Sequence, residues 1–188
     1  HIPYSGTEKY LGMIPNPINI DKLKKPYKVK RNKIHILHAI NSKNKIKKGN
    51  EIFEKSLSIV EKKYSDKIKV VRTIDNPYSL HIKNVADCDI LLDQVYAYDQ
   101  GYNALEAMAL GKVVFTGAEV EWAKYYNIKE DMVAINALPD VSKIVDKLSW
   151  LIENPIHLEN ISKNARKFIE EHHNYKNIAL KYVANWEK

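Results

Sequence analysis

Only one cysteine, Cys88, occurs among the 188 residues. No disulfide can form within the chain, which suits a reducing, cytoplasmic setting. Cys88 lies among Val85, Ala86, Ile90 and Leu91, a place for a buried small hydrophobe rather than a nucleophile. No apolar run approaches the roughly 18 residues that a spanning helix needs. His1 to Lys9 lacks the apolar stretch of a signal peptide, and a first residue other than methionine leads us to expect a piece of a longer protein. Arginine is scarce: Arg31, Arg72 and Arg166 are three of the 30 basic residues. Acidic residues are missing altogether from Lys22 to Lys48, a span with 11 basic ones in a chain of net charge +7. Such a block draws phosphate groups, an acidic membrane face or nucleic acid. A lysine-heavy solvated surface is the plainer alternative. Lys22 to Lys33 interleaves only one aromatic, Tyr27, so no nucleic-acid partner is expected. Metal-ligand spacings are absent too, since His172 and His173 are adjacent and read as a helix-end pair.

What is present is ordinary globular composition, 45% hydrophobic and 28% charged, in a length suited to one domain. Apolar runs predict strands at Lys33–Ile40, Lys67–Ile74, from Ile90, at Lys112–Thr116 and at Met132–Ile135. Helical periodicity predicts Asn50–Tyr64, with Phe53, Leu57 and Val60 on one side, and a short helix from Tyr78 to about Ala86. Asn103 is read as the N-cap of Ala104–Leu110, which puts Glu106 on that helix's first turn, and Gly111 ends it. Gly117–Asn127 is a loop or short helix. Three helices follow, the first behind Asp140 as N-cap and ended by Asn154-Pro155. This alternation implies an α/β fold: a Rossmann-like, doubly wound, mostly parallel sheet with helices on both faces and further C-terminal helices.

In such a sheet ligands bind beyond the carboxyl ends of the strands, where helix N-termini point. Two stretches fall there. Asn41–Gly49, NSKNKIKKG, is a lysine-rich loop between a strand and a helix, which suits an anion, although the GxxxxGK[ST] spacing is missing. Tyr96–Glu106 is the other, with Gly101 where backbone can approach a ligand. Arg72, Thr73 and Asp75 end the second strand near where a base could lie. His38 could approach a phosphate or serve as a hydrogen-bonded structural residue.

The run LEAMALGKVVFTG resembles the signature of the retaining glycosyltransferases of the GT-B fold, group 1 or family 4. That resemblance implies a nucleotide-sugar-binding C-terminal domain over residues 21–188, with 1–20, including the Ile14-Pro15-Asn16 element, as the linker from a missing N-terminal acceptor domain. Glu106 matches the second glutamate of the family's Glu-x7-Glu element, which implies a ribose-binding carboxylate. Where the first glutamate belongs this chain has Tyr98, and Asp93-Gln94 resembles a subgroup that lacks it. Lys48-Gly49, with Lys43 five residues before Lys48 in place of arginine, resembles the diphosphate loop. Gly101 joins Lys43, Lys48 and Gly49 as expected diphosphate contacts, and Asp99, Gln100 and Tyr102 are expected near the donor sugar. A hexose-type sugar would pass to a glycan or lipid-linked acceptor, without cofactor or metal, and the chain alone would transfer nothing. Catalytic residues are not assigned. GT-B epimerases or phosphorylases are a second enzyme reading, and a basic anion-binding module without transferase activity is the non-enzymatic one. The lysines could also hold a cytoplasmic enzyme near an acidic membrane.

Overall fold

A computed structural model describes residues 12–24 and 31–186. The first part of the expected linker, residues 1–11, and the basic residues Lys25, Lys28 and Lys30 lie outside the described residues. Among these residues five strands form one parallel sheet: β1 (Ile34–Ile40), β2 (Ile68–Ile74), β3 (Ile90–Leu92), β4 (Val113–Thr116) and β5 (Ile135–Asn136), in the order β2-β1-β3-β4-β5. Between them run α1 (Asn50–Lys63), α2 (Tyr78–Asp87), α3 (Tyr102–Ala109) and α4 (Val120–Tyr126). Then come α5 (Val141–Glu153), α6 (Pro155–His172) and α7 (Tyr175–Trp186). Among the described residues no helix is long and apolar enough to cross a membrane.

Side chains on a strand alternate between faces, and the three central strands carry apolar residues on both. Ile36, Ile90, Leu92, Val113 and Phe115 face α1 and α5, packing on Phe53, Leu57, Ile144 and Leu148. Leu37, Leu91 and Val114 face the opposite way, onto Val85, Leu105, Met108 and Phe168 of α2, α3 and α6. The doubly wound sheet is therefore covered on both faces.

Several local expectations hold at atomic detail. Asp140 caps α5 by accepting from the N–H groups of Ser142 and Lys143, at 2.8 and 3.2 Å. Gly111, with φ +68°, ends α3 in a Schellman arrangement: its N–H meets the Met108 carbonyl, and the Lys112 N–H meets that of Ala107. Two expectations shift. β5 is Ile135–Asn136 rather than Met132–Ile135, because Asp131 takes φ +55° and its carboxylate accepts from the Asn136 N–H at 3.0 Å, holding the intervening residues in bends. α3 begins at Tyr102 with Gly101 as N-cap, so Asn103 is not the cap and Glu106 lies two residues further in, past the first turn.

Near the amino end, Ile18 is buried and bridges to Asn174, exchanging backbone bonds with His173 and Tyr175. Arg166 donates to the carbonyls of Leu23 and Ala109, both at 2.6 Å. Residues 12–24 thus lie against the joint between α6 and α7.

Candidate functional site

Strand order reverses beside β1, since the chain runs out to β2 and then returns across β1 to β3. At such a switch point the loops leaving the two strands diverge and leave a crevice. Here those loops are residues 41–49 after β1 and 93–101 after β3. Gly49 joins them. Its φ of +69° suits glycine, and a Cβ there would sit 2.2 Å from Val95 Cγ2 and 3.2 Å from the Tyr96 ring. The Val95 N–H donates to the Lys48 carbonyl at 3.1 Å, closing the junction.

Asp93 is the hub. Its carboxylate is almost wholly buried, at 1% side-chain exposure, and accepts from Lys48 Nζ and Asn103 Nδ2, both at 2.7 Å, and from Thr116 Oγ1 at 3.2 Å. A buried charge persists only when paired and hydrogen-bonded, and these three donors satisfy that condition. Since the Asn103 amide nitrogen donates to Asp93, its oxygen accepts from His81 Nε2 at 2.6 Å. One polar chain therefore runs from Lys48 through Asp93 and Asn103 to α2. Glu106 stands nearby on α3, one carboxylate oxygen accepting from the Tyr78 hydroxyl at 2.9 Å.

The remaining expected residues divide. The exposed Lys43 side chain pairs with none of the described residues and lies close enough to Asp75 to help lower its carboxyl, after the Ser42 hydrogen bonds that do most of it. Gly101 is extended (φ −83°), with no atom within 4 Å of where a Cβ would be. Its N–H pairs with none of the described residues, whereas the Gly49 N–H already serves the Ile46 carbonyl at 3.0 Å. Asp99 and Tyr102 are exposed at the rim. Gln100 is buried, donating to the Gly117 carbonyl at 2.6 Å, so its side chain braces the loop. His38 is wholly buried, with Glu54 on Nδ1 at 2.5 Å and Asn50 on Nε2 at 3.4 Å, the structural role rather than a phosphate contact. Arg72 turns to Glu54 and Glu61 on α1, at 2.9 and 2.6 Å.

The sequence model of the family described as "Glycosyl transferases group 1" matches residues 21–168. The chain belongs to that family. No curated protein matched the sequence. Solved structures of similar fold include a S. aureus TarM mutant in complex with fondaparinux, α-GlcNAc-glycerol and UDP. It is 15% identical, with a TM-score of 0.70 over 92% of this chain and 38% of TarM. Anabaena HepE, solved with UDP, is 14% identical, with a TM-score of 0.66 over 93% of this chain and 56% of HepE. The C-terminal domain of the Francisella tularensis group 1 protein LpcC is 18% identical, with a TM-score of 0.57 over 84% of this chain and 98% of that domain. At such identities the likeness is one of fold. This chain spans about half of HepE or less than half of TarM.

Within this group 1 domain, sequence reading missed Asn103, His81 and Tyr78 as members of the crevice. In the sequence Asp93 stands out only as half of a strand-end pair with Gln94. Its one visible signal was a carboxylate straight after Ile90-Leu91-Leu92, a run buried on both faces.

Proposed function

We propose that this group 1 domain is the donor half of a retaining glycosyltransferase, binding a nucleotide-sugar whose hexose passes to a glycan or lipid-linked acceptor. The observation that carries the reading is the link from Lys48 through Asp93 to Asn103, which shares one face of α3 with Glu106, close to Gly101, whose Cβ position is open. TarM and HepE hold UDP in their structures, which supports a nucleotide ligand.

Breaking a glycosyl–phosphate bond leaves negative charge on a nucleoside diphosphate, and positive groups fixed in place beforehand stabilise the transition state. The freely exposed Lys43 supplies a full charge, and Lys48, whose charge Asp93 partly offsets, keeps ammonium N–H donors for the phosphates. The Gly101 N–H supplies a neutral donor, and Gly49 sets the path of the loop. Glu106, an acceptor-only carboxylate, takes hydrogen bonds from the ribose hydroxyls. Asp99, Tyr102 and the backbone at Gln100 border the sugar. Charge neutralisation by lysine makes a metal unnecessary in this scheme. The acceptor site belongs to chain beyond these residues, so the domain binds donor and transfers nothing alone. The lysine-rich surface would keep a cytoplasmic enzyme near anionic lipid.

Calorimetric titration of UDP, GDP and ADP tests this. We expect one nucleotide to bind selectively, and Glu106→Ala and Lys48→Ala each to weaken it about tenfold, near 1.4 kcal/mol. Binding that follows phosphate count and salt while ignoring Glu106 would instead identify a general anion-binding module.

A further inference from the structure

Glu106 does not meet the crevice as a free side chain. Tyr78, the first residue of α2, is 60% exposed while its hydroxyl donates to Glu106 Oε1 at 2.9 Å. Three residues later, His81 meets Asn103, which precedes Glu106 by three. Each helix presents an i, i+3 pair, so two rungs tie the start of α2 to α3. Partial burial, and then the bond to Glu106, push the Tyr78 phenol above its ordinary pKa, so it stays a neutral donor around pH 7. Among the described residues nothing else hydrogen-bonds to the Glu106 carboxylate, which leaves Oε2 and its lone pairs open.

We propose that Tyr78 is a positioning and specificity residue: its hydroxyl fixes the Glu106 carboxylate so that Oε2 faces the vicinal hydroxyls of a ribose, and its exposed ring forms a wall against the nucleoside. A freely rotating glutamate would lose side-chain entropy on binding, and a carboxylate already held by one oxygen loses less. An aromatic ring left largely in water beside that carboxylate offers a face to a planar base. The inference rests on the donor-site reading and adds α2 to the elements that build the site.

The test uses the full 188-residue chain, as wild type, Tyr78→Phe and Tyr78→Ala. The probes are whichever of UDP, GDP and ADP binds best, its 2′-deoxy counterpart and inorganic pyrophosphate. Wild type should prefer the ribonucleotide over the deoxynucleotide by about tenfold, one hydrogen bond to a charged acceptor. Tyr78→Phe, which keeps the ring and the fold, should cut that preference to about threefold or less and leave pyrophosphate unchanged. Tyr78→Ala should weaken both nucleotides further, again sparing pyrophosphate. An undiminished preference in Tyr78→Phe overturns the inference while leaving the donor site standing, as does a wild type indifferent to the 2′-hydroxyl. Equal loss for all three probes would show general damage and overturns it too. If wild type binds none of the three nucleotides, the donor reading fails and takes this inference with it.

Discussion

Two glycines border the crevice for opposite reasons. Gly49 is required by the protein: its backbone is left-handed, and a Cβ would collide with Val95. Gly101 has an ordinary extended backbone and empty space where a Cβ would go. Gly49→Ala should therefore lower unfolding free energy by about 1–3 kcal/mol. Gly101→Ala should stay within about 0.5 kcal/mol of wild type and instead cost nucleotide affinity, by tenfold or more on the donor reading. Urea denaturation and nucleotide titration on both variants separate the two; a Gly101→Ala protein that binds normally would show that this open face meets no ligand. Composition alone marks both positions simply as glycine. Asp93 was harder still, because nothing local to a strand-end aspartate reveals that a lysine 45 residues earlier will donate to it.

At the scale of elements, the α2 helix is secured from a distance. Lys112, the residue before β4, is buried, and its ammonium donates to the carbonyls of Ala86 and Cys88 at 2.7 Å each. These lie at the carboxyl end of α2, where unpaired carbonyls and the helix dipole both favour a cation. Burial lowers the Lys112 pKa, which the nearby Cys88 and Asp89 only partly oppose. Lys112→Met keeps the apolar stem but strands both carbonyls, so we expect a loss of about 1–3 kcal/mol with an unchanged urea m value. A variant as stable as wild type would mean water satisfies that helix end. Helices and buried strands were legible because their signals are local: a period of 2 or 3.6, an aspartate at Asp140, a glycine at Gly111. The start of α3 was not, since Asn103 is a good cap by type but is drawn instead to Asp93 and His81.

Over the whole molecule, the amino-terminal segment and the last two helices meet at His173. His173 is 5% exposed, with Nδ1 donating to the Asn16 carbonyl at 2.9 Å, beside His172, Tyr126 and Phe168 and near Lys181. Burial pushes His173 and His172 below their ordinary 6.5. The unfolded chain thus takes up these protons at higher pH than the folded one. Stability should be full above about pH 6.5 and fall as pH drops through the lower folded values. His173→Phe should be less stable at pH 7.5, by about 1 kcal/mol for the lost bond, yet fall less between pH 7.5 and 5.5. Equal slopes in denaturant unfolding would remove His173 from the account. The sequence by itself determined the α/β class, most element boundaries and the family, because alternating strands and helices and the run around Glu106 are short-range patterns. Only the tertiary structure decided which polar groups meet. Placing β1 beside β3 brings Lys48 to Asp93, and folding α2 against α3 brings Tyr78 to Glu106, contacts 45 and 28 residues apart that no local spacing encodes.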